Sequence, residues 1–253
     1  MKDIEYILDF AMNLGSDMLE AGSNLERAND TMNRVCLSYG LSEISIFSLN
    51  SIIQISAKSD EDDYTLRQIA VPSMDIHLER LSRLNQLSRR VCAETPAPCL
   101  LMDLLASAKE IKEYKTWEIL LARLFAMGGM CVLFGGTLGD IIAADLIIAC
   151  MFWLIRMLSY SNINNVIRNT MCMLFAGIAA HGLVFIGLGQ QYSVISITCA
   201  MMLLPGIPLV NAARNFLCGN EMNGILESIK ALIETLAIVL GLGISMYLFG
   251  GMV

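Results

Sequence analysis

Residues 201–215 read MMLLPGIPLVNAARN and place two prolines and a glycine inside the last part of an apolar run that begins at Val194. Proline removes a backbone donor and clashes with the preceding turn, at a cost of ~3 kcal/mol in a helix interior. Leu204 and Ile207, each just before a proline, are pushed away from helical backbone angles as well. The run is long enough to cross a bilayer, yet it is predicted to be broken in its second half. Exposed backbone at membrane depth is tolerated only against protein or a watery cavity.

The rest of the chain agrees with a membrane reading of its second half. The first 116 residues carry 30 of the 41 charged side chains, which predicts a soluble domain followed by a membrane domain. Five apolar runs, 119–139, 141–158, 169–189, 192–210 and 229–250, each have about the length that spans a ~30 Å hydrocarbon layer. Lys109, Lys112, Lys115 and Arg123 flank the first run, Arg156 and Arg168 bracket the second loop, and Arg214 and Lys230 bracket the fourth. The first and third loops have neither lysine nor arginine. The positive-inside rule then puts the N-terminus in the cytoplasm and the C-terminus outside, in a cell (inner) membrane. The N-terminal stretch MKDIEYILDFAMNLGSDM is amphipathic and acidic and does not read as a signal peptide.

The expected fold class is an α-helical membrane protein with five transmembrane helices, preceded by a small cytoplasmic α+β domain. Residues 1–95 form that domain, 96–117 an amphipathic linker helix and 118–253 the transmembrane domain. Within 1–95, helices are expected at 4–21 and 23–39, with Ser23 and Glu26 as a capping box. Runs rich in β-branched and aromatic residues at 44–50, 52–58 and 64–71 predict an antiparallel three-stranded sheet, with SDEDD (59–63) as the last turn. Leucines at 78, 81, 84 and 87 return the chain to helical spacing.

The net charge of −7 falls mostly in this domain and leaves no basic footprint for nucleic acid. Eight scattered cysteines, none in a CxxC pair, read as free thiols rather than as a disulfide or metal framework. No cofactor is implied. The domain has no nucleophile motif, phosphate loop or histidine-acid cluster, so a membrane-anchored enzyme is the weaker alternative, and a non-transporting scaffold is the other.

At the break, Pro208 is expected to open a second half-helix, where its missing donor costs nothing. Half-helix N-termini facing an anionic group at mid-membrane are a recurring device of secondary transporters. Pro205, Gly206 and Pro208, with Asn211 one turn on, are therefore expected to bind a carboxylate; the bland alternative is a structural kink. His181, near the middle of the third run, Asp145 inside the second and Glu234 in the fifth are candidates for proton coupling. Asp140 is expected to cap a helix. Glu227, Lys230 and Glu234 share one helical face, and Asn162, Asn164 and Asn165 read as turn residues. Glycines at 128, 129, 135, 136 and 139 along the first run, and at 241 and 243 in the fifth, predict close helix packing.

Four blocks resemble the threonine/serine exporter family: EAGSNLERANDTMNRVCLSYGL (20–41), IHLERLSRLNQLSRRV (76–91), FAMGGMCVLFGGTLGD (125–140) and, most specifically, LLPGIPLVNAARNFLCGNEMNG (203–224). The resemblance implies export of small hydroxy amino acids, or succinate in some split members, driven by the proton gradient. It adds Arg214 and Asn215 to the substrate set. It also implies that this chain is the longer subunit of a split exporter, working with a small membrane partner, the lipid and a small-molecule substrate. The chain departs from the family pattern in two places, at three residues. Asn215 stands where an acid is usual, and Glu227 and Lys230 stand where an arginine and then a glutamate are common.

Overall fold

The computed structural model describes residues 2–49, 52–58, 64–71, 77–110, 114–161 and 163–249, and the chain divides into two compact units, 1–113 and 114–253. The expected turn at 59–63 and Asn162 lie outside the described residues.

In the first unit, α1 (Lys2–Glu20) and α2 (Leu25–Ser38) precede β1 (Ser42–Leu49), β2 (Ile52–Lys58) and β3 (Tyr64–Ala70). The strands form one antiparallel sheet in the order β1-β2-β3. β2 is the middle strand, and its alternate residues Ile53, Ile55 and Ala57 are fully buried, the period-two signature of a sheet covered on one face. The cover is helical: Leu8, Leu14 and Met18 of α1, Met32 and Val35 of α2, and Leu84 and Val91 of α3 (Leu78–Glu94) share that core. Arg67 of β3 reaches Glu5 at 3.2 Å and Asp9 at 3.1 Å on α1, which ties the sheet to the first helix.

The expected capping box at Ser23 does not form. The Ser23 N–H donates to Met18 O and finishes α1, its hydroxyl donates to the Asn24 carbonyl, and Asn24 takes the N-cap position of α2. In the segment 96–117, expected as an amphipathic linker helix, the described helix is short. A 3-10 turn at Pro98–Leu100 leads into a short α4 (Leu101–Lys109), whose Leu101 and Leu105 are buried in the core of the first unit.

Among the described residues the regular elements of the second unit are helices: α5 (Thr116–Leu133), α6 (Leu138–Ser159), α7 (Asn165–Phe185), α8 (Tyr192–Met201), α9 (Gly206–Leu217) and α10 (Glu221–Phe249). Among the described residues, α5, α6, α7 and α10 are each long and apolar enough to cross a membrane; α8 and α9 make a fifth span if taken together, bent by 62° at the break. α8 packs against α5, α6 and α7, α10 lies along α7, and α9 rests on α10. Large apolar side chains such as Phe125, Leu133 and Tyr247 stay exposed, as lipid-facing residues do.

The glycines divide into two kinds. A side chain at Gly241 would stand 2.5 Å from the Thr170 carbonyl oxygen, so this glycine sets the approach of α10 to α7. A side chain at Gly128 would meet Ile141 and Asp145 of α6, whereas Gly129 and Gly243 face open space. Gly135, Gly136 and Gly139 do not lie along the first span as expected, because α5 ends at Leu133 and they form the turn and the start of α6.

The interrupted span and the buried polar groups

The break is built from the prolines outward. After Met201 the N–H groups of Met202, Leu203 and Leu204 bond back to Cys199 and Ala200, which winds up the end of α8. Pro205 then stands at φ −77° and ψ 63°, and the Gly206 N–H donates to Leu204 O at 2.9 Å. This is an inverse γ-turn, and it swings the chain into α9. Pro205 is the N-cap residue, so α9 opens at Gly206 and not at Pro208. Pro208 is its third residue, still within the first turn where no donor is needed. Among the described residues, the carbonyls of Met201, Met202 and Leu203 accept no backbone hydrogen bond, and the Ile207 N–H donates none. The C-terminal, electronegative end of α8 and the N-terminal, electropositive end of α9 thus meet at one point.

Among the described residues of this unit, four buried side-chain atoms lack a hydrogen-bond partner: Nδ2 of Asn211 on α9, Oγ of Ser196 on α8, Oδ1 of Asp145 on α6 and Nε of Arg168 on α7. Native structures pair the great majority of such atoms, so each is a place where a ligand, water or ion fits. Ser196 gave no signal in the sequence, because serine is common in membrane helices.

The structure separates the other expected site residues from the break. α9 has 12 residues and a length of ~18 Å, which puts Arg214 and Asn215 near its far end. Arg214 is exposed, and Asn215 is buried and donates from Nδ2 to Glu227 Oε2 at 3.3 Å. Gly219, at φ +78°, ends α9 in the left-handed conformation, with the Asn220 N–H returning to Asn215 O at 2.8 Å. Glu227 and Lys230 do not share a burial: Glu227 is buried and Lys230 is exposed.

The coupling candidates do not converge either. Asp145 is half-buried against Gly128 of α5 and within electrostatic reach of Cys131 on α5 and Cys199 on α8. His181 is not in mid-span. α7 ends four residues later at Phe185, with Gly187 at φ +81°, so the ring lies near the end of the helix. Its Nδ1–H donates to Gly177 O at 2.9 Å within its own helix. The ring sits 3.8 Å from the Tyr192 ring of α8, whose hydroxyl is 3.3 Å from Ser245 Oγ of α10. Glu234 is half-buried on α10.

Asp140 does more than cap. Its Oδ2 accepts from the Thr137 N–H and hydroxyl at 2.9 and 2.8 Å, and its Oδ1 accepts from the Gln190 and Gln191 N–H groups at 2.6 and 2.9 Å. One carboxylate so fastens the α5–α6 turn to the α7–α8 turn. Asn164 caps α7, accepting from the Val166 N–H at 3.1 Å. Cys36, Cys92, Cys99, Cys131, Cys150, Cys172 and Cys199 are free thiols; burial pushes the Cys36 thiol in the first unit up to about 12, which makes it an inert core residue. Among the described residues no cluster of histidine, cysteine and acidic side chains could hold a metal.

These features define a helical membrane protein with four apolar helices of spanning length and one bent helix pair, α8 and α9, among the described residues. Comparison with known protein families matches residues 9–249 to the family described as "Putative threonine/serine exporter", and the chain belongs to that family. Neither curated proteins nor solved structures give a match.

Proposed function

We propose that this chain is the larger subunit of a secondary exporter that carries threonine or serine outward across the inner membrane. The observation that carries the reading is the pairing of opposite helix ends at Pro205. A zwitterionic amino acid needs an anion site and a cation site a few ångströms apart. Here the first turn of α9, with the free Ile207 N–H, receives the carboxylate. The free carbonyls of Met201, Met202 and Leu203 receive the ammonium. Asn211 supplies the polar contact to the side-chain hydroxyl. A dicarboxylate such as succinate would set its second carboxylate against carbonyl oxygens, so it is the weaker substrate. Arg214 and Asn215 act at the far end of α9, at the cytoplasmic entrance. In an Asn211→Cys variant, threonine and serine should slow maleimide labelling at 211, with succinate doing so less. Labelling that none of the three slows would remove the substrate from this site.

Asp145 is the leading proton carrier, because its Oδ1 has no partner and it lies on α6, which packs against α8, the first half of the interrupted span. The expected result for Asp145→Asn is loss of proton-driven accumulation with exchange retained. His181→Asn and Glu234→Gln serve as the comparison: a flattened pH profile in either of these, with Asp145→Asn unchanged, moves the carrier there.

The one-sided lysines and arginines support a cytoplasmic first unit and an outward C-terminus. A C-terminal alkaline phosphatase fusion should be active and a fluorescent protein fusion dark. The reverse pair would mean that α8 and α9 do not cross together.

A further inference from the structure

The first unit has seven arginines, and five of them hold carboxylates. Arg34 pairs with Asp30, Arg67 with Glu5 and Asp9, Arg80 with Asp17 and Glu20, Arg83 with Glu79, and Arg90 with Glu94. Arg27 and Arg89 are the exceptions: neither has an ion-pair partner among the described residues, in a chain of net charge −7. Both line the same cleft between α2 and α3. The cleft consists of two adjoining cavities of about 410 and 530 Å³, and Arg27, Asn85 and Arg89 wall both of them.

The other polar groups of the wall are largely occupied. The Thr31 hydroxyl donates to Arg27 O at 2.8 Å, Asn85 Nδ2 to Leu81 O at 2.7 Å and the Ser88 hydroxyl to Asn85 O at 2.9 Å. Asp30, the one carboxylate on the wall, is 2.9 Å from Arg34. What the cleft offers an anion is therefore chiefly two guanidinium groups, each a planar fork of donors suited to phosphate or carboxylate oxygens, with the exposed Ser82 hydroxyl and Gln86 amide on the wall of the larger cavity. Two like charges on one cleft repel each other, and a bound anion reverses that cost. The transported amino acid is a poor match, since it carries one negative charge and its ammonium would face the guanidiniums. A dianionic phosphate matches both charges. Space for the attached organic part lies on either side of the arginines, and the cavity volumes fall in the range of small-molecule sites.

We propose that this cleft binds a phosphate-bearing metabolite of nucleotide size, with its phosphate on Arg27 and Arg89. The site belongs to the first unit alone and does not depend on the transport reading.

The test is calorimetric titration of the full chain, in an uncharged maltoside detergent and phosphate-free buffer, with ADP, with pyrophosphate and with dihexanoyl phosphatidylglycerol. ADP or pyrophosphate should bind, and Arg27→Ala/Arg89→Ala should weaken that binding by roughly tenfold or more. Both side chains are exposed, so the variant should keep the wild-type unfolding midpoint. Rescue by Arg27→Lys/Arg89→Lys to intermediate affinity would identify charge as the cause. Binding of the lipid analogue alone, lost in the same variant, keeps the phosphate site and assigns it to a headgroup. No binding by any of the three, or binding that the double alanine variant leaves unchanged, overturns the proposal.

Discussion

Transport is expected to fall to background when Pro205 and Gly206 are replaced together by alanine and leucine, while membrane insertion stays normal. Alanine at 205 restores an N–H that can bond to the free Met201 carbonyl, and it removes the inverse γ-turn. Both changes favour one continuous helix, by ~3 kcal/mol for the proline and ~1 kcal/mol for the glycine. A side chain at Gly206 would meet nothing within 4 Å, so the leucine brings no clash of its own. The variant should therefore be at least as stable to heat as the wild type, and inactive. Full flux from a variant of unchanged stability would reduce the break to a kink.

The second large effect concerns the partner. The chain on its own is expected to show no flux in liposomes, and flux is expected to appear on adding a small membrane protein of inverted topology. Secondary transporters commonly set their site between two inverted repeats, and the sequence from 114 to 253 holds the PGIP motif once. The faces left for the partner are narrower than the glycine pattern implies. Gly128 is covered by α6 and Gly241 by α7 within the chain, which leaves the sides of Gly129 and Gly243, and the outer face of α9 with Val210 and Leu217 exposed. Affinity purification of the tagged chain from its host should recover that protein. Transport by the lone chain would replace the heteromer with a homo-oligomer.

The helices, the sheet and the break were legible because each rests on a local rule: apolar runs of spanning length, period-two alternation, and proline chemistry. Local rules also explain the misses. Ser23 and Glu26 have capping-box spacing, but the end of α1 claims the Ser23 N–H first, and Asn24 becomes the cap. His181 looked central because the apolar run continues to 189, whereas the helix stops where Gly187 turns left-handed. Glu227 and Lys230 do share a face of the unbroken α10, as their spacing requires, but α9 folds back over Glu227 and leaves Lys230 exposed, a difference in burial that spacing does not carry. The cleft of Arg27 and Arg89 was invisible in sequence, since it depends on which arginines find carboxylates once α2 and α3 pack.

The most direct measurement of the central claim is counterflow in proteoliposomes that hold the chain and its co-purified partner. Labelled threonine, serine and succinate would be compared at equal concentration. The account predicts counterflow of threonine or serine, weaker counterflow of succinate, and loss of all three on closing the break at Pro205. Liposomes with both subunits correctly inserted and no counterflow of any of these substrates would contradict it.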